Sequence, residues 1–158
     1  MKFIARTTDA WQPVPAVDAP APAPHRLLTL AQWEAVRAAW PADLPVGLAI
    51  DNTVDVEDLA VDLPRIALIA LDFPKWVDGR AYSQARVLRA RLRFAGEIRA
   101  TGQVLVDMMP LLQRTGVDAV VLREGERQSS AERALTFFPE YYQGDVLQPQ
   151  PRFARETA

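Results

Sequence analysis

Along the chain, short apolar runs alternate with stretches that are apolar on one helical side only. Residues 46–50 (VGLAI) lie between Pro45 and Asp51-Asn52, which predicts a short buried strand. Residues 65–71 predict a second strand; the apolar run inside it, residues 66–71, is the longest candidate for a membrane span and falls well short of the roughly 20 residues required. Residues 97–100, after Gly96, predict a third strand and residues 118–122 a fourth. Residues 2–7 have the composition of a short edge strand.

Helical periodicity fills the gaps. Thr29 and Gln32 have capping-box spacing, opening a helix that Pro41 ends, with Trp33, Val36, Ala39 and Trp40 on its apolar side. Residues 55–63 fit a short helix opened by Asn52 or Thr53, and residues 83–93 one capped by Ser83, with Ala85, Leu88 and Leu92 inward. Residues 101–115 read as helix interrupted by Pro110, broken near Asp107 and stopped at Gly116. Ser129 or Ser130 caps a last helix ahead of Pro139, and the tail from Tyr141 is irregular.

Strands alternating with helices predict an α/β fold of β/α units around a mainly parallel, four-stranded core. The sheet is either an open three-layer sheet or half of a TIM-type barrel, since four units are too few to close one. Residues 12–24 hold five prolines in thirteen positions and predict an extended arm. The expected organisation is residues 1–25 as N-terminal strand and Pro/Ala-rich arm, and residues 26–158 as one domain.

Composition narrows the chemistry. With 158 residues, 49% apolar residues and a net charge of −2, the chain is soluble in character and carries no nucleic-acid footprint. Its first residues lack a signal-peptide apolar region, so a cytoplasmic location is expected. There is no cysteine, which excludes thiolate nucleophiles and cysteine-ligated clusters, and the lone imidazole, His25, sits in the proline-rich arm. No metal site is expected, and no GxGxxG or phosphate-loop pattern is present.

In parallel α/β folds ligands bind beyond the carboxyl ends of the strands. Those ends are predicted to carry Asp51-Asn52, Asp72, Arg99 and Arg123-Glu124, joined by a loop with Lys75, Asp78 and Arg80. Such a rim suits an oxyanion held by arginines, with Arg80 and Arg99 as ligands, Asp78 orienting Arg80, and Tyr82, Ser83 and Arg86 adding contacts. Asp51 or Asp72 as general base, with Lys75 or Arg99 stabilising charge, is the enzymatic alternative. The structural alternatives are an Asp78-Gly79 turn, a Ser83 cap, an Arg80–Asp72 ion pair, and Arg86, Arg89 and Arg93 as a solvated helix side. The apolar loop residues Trp76 and Val77 suit a homodimer contact, a partner contact or a lid.

The strings FPKWVDGRAYSQARVLR (residues 73–89), GEIRATGQVLVDM (96–108) and RTGVDAVVL (114–122) resemble an uncharacterised bacterial family, a domain of unknown function. Its genes lie beside those of assimilatory sulfite reductase, and it carries the label of an oxidoreductase involved in sulfite reduction. The chain departs from the family pattern at Gln103, Met108 and Thr115, the last replacing a cysteine of many relatives. A weaker resemblance, to cyclic-dinucleotide phosphodiesterase barrels, rests on ALDF at Ala70 and YYQG at Tyr141 and lacks the Glu-Ala-Leu signature. The first resemblance implies an accessory protein of sulfur assimilation that binds a small oxyanion or nucleotide, or sulfite reductase itself; it names no cofactor. A pure interaction module docking through the arginine side and the proline-rich arm is the third reading.

Overall fold

The computed structural model describes residues 1–15 and 20–154. Its centre is a seven-stranded, wholly parallel sheet, ordered β1-β7-β6-β5-β4-β3-β2 and curled into a half-barrel. The strands are β1 (Lys2–Phe3), β2 (Gln12–Pro13), β3 (Arg26–Thr29), β4 (Val46–Ile50), β5 (Ile66–Phe73), β6 (Glu97–Gly102) and β7 (Ala119–Val120). Between them lie α1 (Leu30–Val36), α2 (Arg80–Arg86) and α3 (Met109–Arg114), and α4 (Gln128–Ala134) follows β7. The half-barrel alternative of the sequence reading therefore holds, with a wider sheet than the expected four strands.

Alternation along the strands sorts their side chains between two sides. Leu48 and Ile50, Ile69, Leu71 and Phe73, Ile98 and Ala100, and Val120 join the core cluster with Trp33, Ala81, Ala85, Leu88, Met109 and Leu112 from the helices. Leu68 and Ala70 are as deeply buried but stand outside that cluster, on the concave side. In register there, Leu27, Gly47, Leu68 and Glu97 make one level, and Thr29, Ala49, Ala70 and Arg99 the next. Asp72 and Thr101 stand above them at the carboxyl end.

The two-residue strands at the edges are one chain segment used twice. β1 pairs with β7 and β2 with β3, so residues 4–11 run as a strap from one edge of the curled sheet to the other. The strap is tied to the concave side by Asp9, whose Oδ2 accepts a 2.6 Å hydrogen bond from Arg99 Nη1, and by Trp11. A Cβ on Gly47 would come within 2.8 Å of the Trp11 ring, so glycine leaves the room that the indole fills. His25 stacks edge-on against Trp11 at 5.3 Å. Of the expected extended arm, residues 16–19 lie outside the described residues.

Several element ends differ from expectation for local reasons. The Thr29–Gln32 capping box forms as expected. The short helix after β4 is a 3₁₀ turn, Val56–Leu59, capped by Asp55 rather than by Asn52 or Thr53, because Asp55 Oδ1 accepts from Glu57 N at 3.0 Å. α2 opens at Arg80, not Ser83: Asp78 folds its carboxylate onto the first helical residue, leaving Ser83 an exposed position inside the helix. Beyond Arg86 it widens into a π-helical turn over Val87–Arg91. Pro110 is the second residue of α3, in the first turn where its missing N–H is harmless, and Gly116, with φ of 96°, follows its end. α4 opens at Gln128 without a side-chain cap from Ser129 or Ser130.

Candidate functional site

The carboxyl-end mouth of the half-barrel encloses a cavity of about 600 Å³, lined among others by Thr29, Glu34, Ala49, Asp51, Asp72 and Thr101. Its charged lining is acidic. Asp72 is carried there by β5, whose alternation places Ile69, Leu71 and Phe73 in the core and turns Asp72 to the opposite side. The Asp72 carboxylate accepts no hydrogen bond from the described residues, and burial, with the charge of Asp51 as a lesser cause, pushes its pKa up. Gly102 on the neighbouring strand makes room for it, since a Cβ there would stand 2.5 Å from Asp72 Oδ1.

Asp51, at the end of β4, is shifted the other way. Its Oδ1 accepts from the Thr53 hydroxyl and, at 2.7 Å, from Thr53 N–H, which lowers its pKa; the Arg80 charge adds to this. The loop carrying Asp51 is held from behind by Gln84, whose Nε2 donates to the carbonyls of Asp51 and Val54, both at 2.9 Å. Gln84 sits on the buried stripe of α2 with Ala81, Ala85 and Leu88, the spacing i, i+3, i+4, i+7. A polar residue on an apolar stripe was the signal for it in the sequence. Thr101 and Glu34, also in the lining, carry no comparable signal.

The other expected site residues separate into three groups. Asp78 and Arg80 form a two-bond fork, Nε to Oδ1 at 3.0 Å and Nη2 to Oδ2 at 2.7 Å, at the exposed start of α2. The pairing holds the Asp78 carboxyl far below the usual range and raises the Arg80 pKa. Thus the partner of Arg80 is Asp78, not Asp72. Lys75, Trp76 and Val77 project from the same loop into solvent, Trp76 with 58% of its surface exposed.

Arg99 is the clearest change of place. β6 continues to Gly102, so Arg99 lies in mid-strand rather than at its end, 3% exposed. Its guanidinium bonds Glu97 through Nε and Nη2, at 2.9 and 2.6 Å, and Asp9 through Nη1. It is a tie between sheet and strap. Tyr82 and Arg86 also stand apart from the mouth. Tyr82 packs edge-on against Phe73 at 5.0 Å, and burial, with the Asp107 charge, pushes its pKa up to about 12. Arg86 lines a different cleft, on the other side of α2. Of the remaining strand-end pair, Arg123 is taken up by Glu126 at 3.0 Å.

Among the described residues no group of three or more His, Asp or Glu side chains is arranged to hold a metal ion, and no helix is long and apolar enough to cross a membrane. Residues 47–153 match the family model described as bacterial protein of unknown function, DUF934. No curated protein and no solved structure matches the chain.

Proposed function

We propose that this chain, which belongs to the bacterial family DUF934, binds a small polar molecule in the mouth of its half-barrel and exchanges a proton with it through Asp72. One observation carries the reading: two carboxylates of one cavity are driven apart in acidity, Asp72 upward by burial and Asp51 downward by Thr53. Paired carboxyl groups with opposed environments are the usual arrangement for one proton-carrying and one permanently ionised group. The described residues of the lining include no cation, which favours a neutral or cationic ligand, such as an amine, amide or polyol, over an anion.

The oxyanion reading at Arg80 is less well supported, because an anion there must displace Asp78 from a two-bond fork. In sulfur assimilation, the setting that the resemblance implies, the chain serves as an accessory that prepares or carries a small molecule for sulfite reduction. A cysteine-free chain has no thiolates to hold the cluster that the reduction itself requires.

The test is a thermal-shift screen of amines, amides, polyols and oxyanions on the purified chain and on Asp72→Asn. A ligand at 100 times its dissociation constant adds about 2.7 kcal/mol, a rise of roughly 5–11 °C for a chain of this size. The expected result is a response to a neutral or cationic compound that the Asn variant loses. Responses confined to oxyanions, or a response to a neutral or cationic compound that survives intact in Asp72→Asn, would sink the reading.

A further inference from the structure

Away from the mouth, on the helix-covered side of the sheet, Arg86, Arg89 and Arg93 line a second cleft of about 710 Å³. Its opposite wall is the C-terminal segment from Gly144 to Pro149. The three arginines have different duties. Arg89 is consumed by the fold: it donates to the carbonyls of Phe94, Gly96 and Gly116 and pairs with Asp118. Arg86 and Arg93 are exposed, and their guanidinium groups make no hydrogen bond or ion pair among the described residues. The one acid among the described residues of the lining, Asp145, is already satisfied, by Arg114 Nε at 3.2 Å and by the backbone N–H groups of Leu147 and Gln148 at 2.9 and 2.8 Å.

Arg93 also stands where the backbone resists it. Its φ is 54°, in the left-handed region, at the position after a helix where glycine is the unstrained choice. The cross-bond from Phe94 N–H to the Leu88 carbonyl, 2.9 Å, closes the helix around it and would form equally well with glycine there. A strained residue whose side chain has no partner among the described residues gives them nothing in return, which points to a role outside the fold. The helix that presents both arginines is widened into a π turn over Val87–Arg91, a distortion that recurs at binding sites.

We propose that this cleft binds the phosphate or sulfate group of a small, multiply charged ligand between the guanidinium groups of Arg86 and Arg93. Planar, permanently charged forks match the oxygens of such groups two bonds at a time. The volume lies within the range of nucleotide-sized and smaller ligands. This site is separate from the mouth and does not depend on the chemistry proposed there.

Calorimetric titration of the whole chain with inorganic sulfate, inorganic pyrophosphate and ADP at low ionic strength tests it. At least one probe is expected to bind once per chain, sulfate alone indicating a sulfuryl ligand and pyrophosphate or ADP a phosphoryl one. Arg86→Ala and Arg93→Gly should each weaken that binding about tenfold or more. Arg93→Gly is informative because glycine relieves the left-handed strain, so the variant should keep or raise its melting temperature while losing affinity. Arg91→Ala removes the same charge from the neighbouring turn, where Arg91 pairs with Glu57 away from the cleft, and should leave affinity within about twofold. No binding of any probe at about 10 mM, or equal loss in Arg91→Ala and Arg93→Gly, would overturn the assignment.

Discussion

Substituting Gly102 by Ala probes the mouth through its least conspicuous residue. Gly102 ends β6 with φ of 88°, a backbone conformation that costs an L side chain about 1–2 kcal/mol. The added Cβ would stand 2.5 Å from Asp72 Oδ1 and 2.5 Å from the Phe73 carbonyl oxygen. The two obstacles are unequal. The carboxylate is the end of a side chain and can turn away, whereas the carbonyl belongs to β5 and accepts a 2.7 Å bond from Gln103 N–H. Displacing it adds about 1–3 kcal/mol of overpacking and weakens a bond worth about 0.5–1.5 kcal/mol. The sum, about 2.5–6.5 kcal/mol, corresponds to a fall of roughly 5–26 °C in melting temperature. Thermal and urea denaturation measure it, and NMR titration of the Asp72 carboxyl reports whether the variant has changed that group's surroundings. In an Asp72→Ala background most of the penalty should persist, reduced by about 0.5–1 kcal/mol for the contact no longer made. A cost below about 0.5 kcal/mol in the wild-type background, or one that vanishes without Asp72, would refute the argument.

Two further expectations follow from the same geometry. Asp72 binds its proton more tightly in the folded chain than in the unfolded one, so its contribution favours folding at acid pH and is lost as pH rises through the carboxylate range to the elevated folded value. Asp72→Asn, which cannot ionise, should therefore melt higher than wild type at pH 7, and the difference should shrink below about pH 4; no difference at pH 7 would contradict the assigned direction. Asp9→Ala strips one partner from the buried Arg99 and unties the strap, which should destabilise the chain by about 1–3 kcal/mol and speed proteolytic cleavage within residues 4–11; cleavage at the wild-type rate would mean that Asp9 does not hold the strap.

Much of the frame is local and was legible without a structure. The run VGLAI at 46–50 forms a strand with those bounds because five apolar residues between a proline and an Asp-Asn pair leave little else to form. The Thr29–Gln32 box closes a helix start within four residues, and Gly116 follows a helix end by its own backbone freedom. Asp51 and Asp72 stand at strand ends because polar residues end apolar runs, and parallel strands all end on one side. That alone brought both carboxylates to one mouth.

What remained hidden depends on residues far apart in the chain. β1 and β2 are two residues each, too short for any periodicity; they exist because β7 and β3 offer open edges to pair with. Central strands of a parallel sheet are buried on both sides, so apolar character could not tell concave from convex, nor show that Asp72 faces Gly102. Arg99 looked like a strand-end ligand and became a buried tie because Asp9, ninety residues earlier, is laid across the sheet by the strap. Arg86, grouped with Arg80 by sequence, was parted from it by the turn of the helix and turned toward the C-terminal segment. Local sequence determined which residues are strand, helix and turn; only tertiary packing decided which charges meet each other and which are left facing an open cleft, because an ion pair depends on distance in space and not along the chain.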